Sequence, residues 1–202
     1  QGGVAGPVRM EYGTVQAAGL VSRRDVPEPG RLVVPEAPAA GVRPYGTGYR
    51  SVARVVRNCM IYIGNIAALQ AWYEQVRRPL LERTPHGTAC LAGARKQLAA
   101  VRKERMKRLE AVVERIAQED RSALDGALRA EHEALCAGWP EAKERLAAAG
   151  DADCPEKAEF LAAWEAAREE KYVERVRGLP PEAKAAGTAW LQQIVKSAGL
   201  PA

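Results

Sequence analysis

Two hydrophobic periods divide the chain. Over residues 13–44 an aliphatic side chain or a proline recurs every six positions, and small residues separate the first two: Val15, Val21, Pro27 and Val33. An amphipathic helix has a period of about 3.6 residues and a half-buried strand a period of two, so a period of six fits neither. It predicts a coil of short parallel strands in which each six-residue unit points one such side chain into a narrow interior. The prolines from Pro27 to Pro44 then loosen the pattern, as at the end of a solenoid.

Beyond residue 48 the nonpolar residues follow helical spacing. A turn-rich linker over residues 45–48 precedes a predicted helix over residues 49–78. Within it, Gly64 predicts a close backbone contact, and Asn65 is predicted to be a buried or half-buried polar group with a partner. The nonpolar stripe of this helix contains Val52, Val56, Cys59, Met60, Ile63, Ile66, Ala67, Gln70 and Tyr73. Pro79 is predicted to end or kink the helix.

Further helices are predicted after the loop that contains Thr84, Pro85 and Gly87. They cover residues 88–118, 120–136, 139–150, 157–177 and the stretch from residue 180 onward. Ser122 is the predicted cap of the second helix in this list. Three tryptophans are the predicted anchors of the core, because the chain contains few aromatic residues: Trp139, Trp164 and Trp190.

Charge is unevenly distributed along these helices. The chain of 202 residues has a net charge of +5, with a basic stretch over residues 77–115 and an acidic balance after it. One interpretation is a self-complementary helical assembly. The other is a polyanion-binding helix that uses Arg95, Lys96, Arg102, Lys103, Lys107 and Arg108. Acidic residues interrupt the basic run at Glu104, Glu110 and Glu114, as in helix-surface ion pairs, which favours the assembly.

Chemistry-bearing motifs are sparse. Four cysteines lie far apart without a CxxC pair, so we expect no metal site and a reduced, cytoplasmic protein: Cys59, Cys90, Cys136 and Cys154. The sequence contains no P-loop, GxGxxG, GxSxG or HExxH motif and no nonpolar stretch of membrane-spanning length. His86 and His132 are interpreted as structural or solvent-facing. Because the chain opens with Gln1 rather than Met, we expect a fragment of a longer protein.

The stretch over residues 13–44 resembles the last coils of the hexapeptide-repeat, left-handed parallel β-helix family. That family ends in a pattern such as GTVVGAGSVVTKDVPPGSLVVGNPAKVIR. The chain matches it at residues 13–15, 18–22, 24–27, 32–34, 38–39 and 42–43. It departs from the pattern at Glu36 and Ala37, where the family has Gly-Asn, and at Ala40, where the family has a basic residue.

The resemblance implies a short terminal piece of a left-handed parallel β-helix, and the helical spacing beyond residue 48 predicts a multi-helix domain after it. Together they give an α+β, mostly α fold. The expected organisation is β-helix coils over residues 1–44, a linker over residues 45–48 and a helical domain over residues 49–202. Family members associate as trimers, so a homotrimer is implied. Arg23, Arg24 and Arg43 match positions that lie near acyl-CoA phosphates in some relatives. The family's catalytic histidine has no counterpart here, so no catalytic residue is assigned.

A second resemblance concerns residues 58–77, NCMIYIGNIAALQAWYEQVR. This stretch is similar to a helix in uncharacterised bacterial proteins described as nucleotidyltransferase-like or UDP-sugar pyrophosphorylase-related. The sequence therefore predicts a C-terminal structural and oligomerisation region without a complete active site. The alternative is the edge of a transferase cleft in a longer enzyme. We expect no cofactor in this chain, with acyl-CoA or a nucleotide sugar as candidates in the full-length protein, and neither a membrane nor a nucleic acid as partner.

Overall fold

The computed structural model describes residues 3–35, 49, 51–122, 124–151, 153–169 and 171–199. The chain divides into two compact units, Gln1–Gly46 and Thr47–Ala202. The first contains short strands and the second is helical, so the protein is mostly α. The division lies within two residues of the predicted end of the β region.

The first unit, called the β unit below, contains four two-residue strands: β1 (Gly3–Val4), β2 (Val15–Gln16), β3 (Val21–Ser22) and β4 (Leu32–Val33). β1 pairs in parallel with β3, and β2 pairs in parallel with β4. A parallel bridge also joins Met10 to Val26. Paired residues are 16 to 18 positions apart in the chain, so every pairing links one turn of chain to the next.

The prediction of which side chains face inward in the β unit is wrong by one residue. Val15 and Val21 are 59% and 49% exposed, whereas the next residues, Gln16 and Ser22, are half-buried and buried. Successive side chains in a strand point to opposite faces, so a shift of one residue exchanges the two sets. Gln16 turns its amide inward, where Nε2 donates to the carbonyl oxygens of Gly3 at 3.0 Å and Leu20 at 2.5 Å.

The other two positions of the six-residue period differ from each other. Pro27 is exposed and Val33 is half-buried. The small residues at the corners behave as expected: Gly13 and Gly19 have φ angles of +79° and +82°, a region that favours glycine. Pro38 and Pro44 lie outside the described residues.

The first helix of the second unit is α1 (Ala53–Trp72), which begins later than predicted. It continues through a π-helical turn (Tyr73–Arg77) into the short helix α2 (Arg78–Leu81). Pro79 lies in the first turn of α2, where a missing N–H costs little. The predicted stripe is confirmed at its buried members, which are Val52, Val56, Met60, Ile63, Ile66 and Ala67; Cys59, Gln70 and Tyr73 are half-buried.

The second long helix, α3 (Gly87–Gln118), agrees with its prediction to one residue. The two helices predicted over residues 120–136 and 139–150 are instead a single helix, α4 (Gly126–Ala148), with Pro140 inside it. Ser122 does not cap it. Asp125 is the N-cap, and its Oδ1 accepts from the N–H of Leu128 at 2.9 Å. Proline usually interrupts a helix, but here the buried side chains of Trp139 and Ala142 hold both sides of Pro140 in one core.

The helix predicted over residues 157–177 is two helices, α5 (Pro155–Ala166) and α6 (Tyr172–Gly178). The chain turns at Ala167, whose extended conformation ends α5. The Arg175 Nε donates to the carbonyl oxygen of Glu169 at 2.7 Å and ties the intervening loop to α6. The last helix, α7 (Pro181–Ser197), begins within one residue of its predicted start.

α1 is the central element of the helical unit and packs against α3, α4 and α7, while α5 packs on α7. Gly64 makes the predicted close contact: a Cβ there would lie 3.0 Å from Val195 of α7 and 3.0 Å from Ala198, which directly follows α7. Asn65 is exposed rather than half-buried, although its amide does have a partner, the carbonyl oxygen of Ile61 at 3.0 Å.

The core of this unit contains an aromatic cluster. Phe160 lies between Trp72, Trp164 and Trp190, with ring centroids 5.4 to 6.2 Å apart. The prediction of tryptophan anchors is confirmed, because Trp139, Trp164 and Trp190 are at most 8% exposed.

Candidate functional site

The arginines singled out for ligand contact do not form a built site. Arg23 and Arg24 directly follow β3, and both are exposed. Among the described residues neither side chain makes a hydrogen bond or an ion pair. Arg43 lies outside the described residues. The two described arginines are therefore solvated cations on the surface of the β unit.

The two histidines occupy different environments. His86 is exposed and is the N-cap of α3, where it adopts a left-handed conformation with φ of 61°. His132 is fully buried in α4. Both agree with the prediction of structural or solvent-facing side chains, and nothing in their placement assigns either one a catalytic role.

Glu131, the neighbour of His132, has a structural role that the sequence did not indicate. Its Oε1 accepts from the backbone N–H groups of Val52 at 2.5 Å and Ala53 at 2.9 Å, and Oε2 from the hydroxyl of Ser51 at 3.2 Å. These bonds, led by that from Ala53, lower the pKa of Glu131. A side chain of α4 thus satisfies the unpaired donors at the start of α1.

Asp151 is a second polar centre inside the helical unit. Its carboxylate accepts from Trp190 Nε1 at 3.1 Å, Gln75 Nε2 at 2.7 Å and Lys157 Nζ at 2.8 Å. Burial acts to lower the pKa of Lys157, but hydrogen bonds to Asp151 and Asp153 outweigh it and raise that pKa. Asp151 joins α5, α7 and the π-helical turn, and its acceptors are occupied by the protein itself.

The basic residues of α3 are partly committed to the fold. Arg95 forms an ion pair with Glu74, and Arg108 pairs with Glu104 within the same helix. Arg102 donates to three carbonyl oxygens at the end of α4, those of Leu146, Ala147 and Ala149, at 2.6 to 3.0 Å. Burial lowers the pKa of Arg102. These partners weaken the polyanion interpretation, which needs all six basic side chains free to contact phosphates. The other three members of the set, Lys96, Lys103 and Lys107, are exposed.

A groove along α1 is the best-formed candidate for ligand or partner contact, and it consists of two cavities. One, of about 650 Å³, lies between the first half of α1 and α3, and the other, of about 430 Å³, lies between the second half of α1 and α7. Val55, Tyr62 and Leu69 of α1 line these cavities and are 55%, 46% and 45% exposed.

The first cavity has a nonpolar floor and a basic rim. Val52, Val56, Leu109 and Val112 form part of the floor. The rim carries three arginines, which are Arg54, Arg105 and Arg108. The guanidinium of Arg105 lies 5.1 Å from the ring centroid of Tyr62, within range of a cation–π interaction. This arrangement can receive a nonpolar body that carries negative charge.

This groove was not predicted from the sequence, because the predicted nonpolar stripe of α1 contains only residues of the face that packs on the core. A usable signal was present, since Val55, Tyr62 and Leu69 recur every seven residues. That spacing marks a second nonpolar face of the same helix.

Other kinds of site are not found in the part of the chain that the structure describes. No group of three or more His, Cys, Asp or Glu side chains among those residues could hold a metal ion. The four cysteines are free thiols. No described helix has the length and nonpolar character needed to cross a membrane. In comparisons with known proteins, no protein-family model, curated protein or solved structure matches the chain.

Proposed function

We propose that this chain is the C-terminal structural and oligomerisation region of a hexapeptide-repeat protein, and that its β unit forms the last coils of a left-handed parallel β-helix. The supporting observation is the spacing of the parallel pairs. Gly3 with Val21, Val15 with Leu32 and Met10 with Val26 are each 16 to 18 residues apart. Three six-residue units make one such turn, so the pairing agrees with the six-residue period of the sequence.

The exposed side chains of the β unit support a role in assembly. Repeat units cannot bury their nonpolar faces alone and depend on neighbouring repeats. Large nonpolar side chains of the β unit that are about half or more exposed are Val4, Tyr12, Val15, Val21, Leu32 and Val34. Adjacent nonpolar residues left in water mark surfaces that other chains cover. A homotrimer around a threefold axis would cover such surfaces.

Sedimentation analysis of the full chain at micromolar concentration tests this proposal. We expect a trimer, and we expect Leu32→Glu to dissociate it because the change places a charge on the proposed contact surface. Val173→Glu is the matched control, since Val173 is 53% exposed on α6, in the helical unit. A chain that remains monomeric at every concentration tested would argue against the oligomerisation role.

A second candidate function is the edge of a transferase cleft. The observation that favours it concerns Arg23 and Arg24, which are adjacent and exposed and form no ion pair among the described residues. A guanidinium group without a carboxylate partner can bind phosphate oxygens. Titration of the chain with CoA, followed by NMR, is the test. Signals of residues 20–27 are expected to shift, and the shifts are expected to disappear in a variant with both arginines replaced by alanine. Absence of any shift in the unaltered chain would rule out this function for the β unit.

A further inference from the structure

One face of α1 is left largely exposed by the other described helices. Six residues on it follow the alternating three- and four-residue spacing of a helix–helix seam: Val55, Asn58, Tyr62, Asn65, Leu69 and Trp72. Five of the six are exposed and Trp72 is half-buried. The opposite faces of α1 pack on α3, α4 and α7. This row is called the α1 seam below. Its five exposed members lie outside the core, and Trp72 at its end also packs against Phe160 in the aromatic cluster.

The α1 seam contributes residues to both cavities of the groove, which follow one another along α1. Val55, Asn58 and Tyr62 line the cavity shared with α3, and Asn65, Leu69 and Trp72 line the cavity shared with α7. At about 1.5 Å of rise per residue, the seam is roughly 26 Å long. A groove of this length and periodicity fits an amphipathic helix of about five turns, which is a common mode of peptide recognition.

The charge of the groove indicates what kind of helix it accepts. Arg54, Arg105 and Arg108 line it, and no Asp or Glu is among the described residues that line either cavity. Arg108 is partly neutralised by Glu104, whereas Arg54 and Arg105 form no ion pair among the described residues; Glu104 interacts with Arg105 only through a weaker charge interaction. Side-by-side parallel pairing of two α1 seams would bring these arginines close to their own copies, which like-charge repulsion opposes.

We propose that the α1 seam binds an amphipathic helix of another protein, with acidic residues that flank its nonpolar stripe and face Arg54 and Arg105. Burial of Val55, Tyr62 and Leu69 supplies the nonpolar contact. Asn58 and Asn65 set the register, as single polar residues do in helix–helix seams. Asn65 is suited to this role because its amide nitrogen already donates to Ile61, which leaves its Oδ1 for the partner. The inference goes beyond the proposed oligomerisation role, which concerns the β unit.

Two synthetic helical peptides test the proposal. Both are about 21 residues long with leucine at seam positions; one carries glutamate at the flanking positions and the other carries lysine. Binding is measured by fluorescence anisotropy with the full chain at low and at high salt. We expect the glutamate peptide to bind, with an affinity that falls as salt rises, and the lysine peptide to bind about tenfold more weakly or worse.

Variants of the chain make this test specific. Tyr62→Glu and Leu69→Glu are expected to weaken binding of the glutamate peptide by about tenfold or more, because each places a carboxylate in the seam. Arg105→Glu is expected to weaken the glutamate peptide and to strengthen the lysine peptide. Val173→Glu, an exposed nonpolar residue outside the groove, is the control that keeps full binding. Circular dichroism shows whether each variant keeps its helices.

Three outcomes would overturn the proposal. Equal binding of the two peptides would show that the α1 seam does not select an acidic partner. A loss in Val173→Glu as large as the loss in Leu69→Glu would show that the binding is not at the seam. Self-association of the chain that Leu69→Glu abolishes, with no peptide binding at any salt concentration, would assign the seam to a second copy of this chain.

Discussion

The β unit and the helical unit differ in how much of their nonpolar surface they bury themselves. In the helical unit, Met60, Ile63 and Trp190 are completely buried, and several helices share one core. In the β unit, Val15 and Leu32 remain 59% and 65% exposed. The helical unit therefore buries its large nonpolar side chains in its own core, whereas the β unit leaves these two side chains largely in solvent.

The reason lies in how each kind of element finds partners. α1 meets α3, α4 and α7, so most of its circumference is covered. In the β unit each strand has a single partner strand among the described residues: β1 pairs with β3 and β2 pairs with β4. Open edges and uncovered faces are what stacked repeats normally close.

The largest expected effect is the loss of the central aromatic residue of the helical core. Trp190→Ala removes a completely buried ring that stacks on Phe160 and donates to Asp151. We expect the free energy of unfolding to fall by about 3–5 kcal/mol, measured by urea denaturation. Tyr12→Ala is the matched change in the β unit, where the ring is 94% exposed, and should change stability by under about 0.5 kcal/mol. Equal effects at the two sites would contradict the comparison.

A glycine that touches the same cluster should give the next largest effect. A Cβ at Gly187 would lie 2.5 Å from Cδ2 of Phe160, and Phe160 is only 2% exposed and cannot move aside freely. We therefore expect Gly187→Ala to destabilise the chain by about 1–3 kcal/mol.

The control for this change is Gly138→Ala in α4, where a Cβ meets nothing within 4 Å. Because alanine restricts the unfolded chain, this variant should be stabilised by about 0.4–1 kcal/mol. Thermal unfolding measures both variants, and opposite signs are expected. Stabilisation of both variants would show that Phe160 does relax.

A smaller effect is expected at the contact between α4 and α1. Glu131→Gln weakens the acceptor that binds the N–H groups of Val52 and Ala53. We expect a loss of about 0.5–1 kcal/mol, limited because the carboxylate is partly exposed to solvent. Chemical denaturation at neutral pH measures it, with Glu133→Gln, an exposed residue of the same helix, as the control.

The same contact should depend on pH. Since folding lowers the pKa of Glu131, its contribution is fully present above the ordinary glutamate pKa of about 4.3 and is lost as the pH falls toward the lowered folded value. We therefore compare the free energy of unfolding of the unaltered chain with that of Glu131→Gln from pH 6 down to about pH 3, and we expect the two values to converge. A constant difference over this range would contradict the assignment.

The smallest expected effect concerns the independence of the two units. Leu32→Ser lies in β4, which belongs to the β unit, while the helical core is built from residues beyond Thr47. Because Leu32 shares no core with the helices, its replacement should leave their stability nearly unchanged. We expect the free energy of unfolding of the helices to shift by less than about 0.5 kcal/mol. Far-ultraviolet circular dichroism follows the helices alone. A shift of several kcal/mol would show that the two units unfold together.

Sequence patterns predicted the helical unit where hydrophobic spacing was long and regular. The bounds of α3 and the buried stripe of α1 agree with expectation because a sustained 3.6-residue period has one structural solution. The breaks were predicted less well. Pro140 lies inside α4 and does not end it, whereas α5 ends before Ala167 although no proline lies there. Local propensity is a weak signal that packing of Trp139 and Phe160 can override.

The candidate groove shows a different limit of sequence reasoning. Arg54 and Arg105 lie about fifty positions apart in the chain, and no local pattern relates them. They reach one groove only because α3 folds back along α1. The predicted site residues Arg23 and Arg24 were identified by resemblance alone, and their role in binding a ligand stays a prediction.

The sequence by itself determined the division into a region of period six and a region of helical period, because each period suits one kind of backbone. Only the tertiary structure decided which side chains each element buries. In the β unit Ser22 is buried while Val21 is exposed, since a strand has two faces that its partners alone distinguish. In α1 the tertiary structure leaves Val55, Tyr62 and Leu69 exposed, because α3 and α7 pack on its other nonpolar residues.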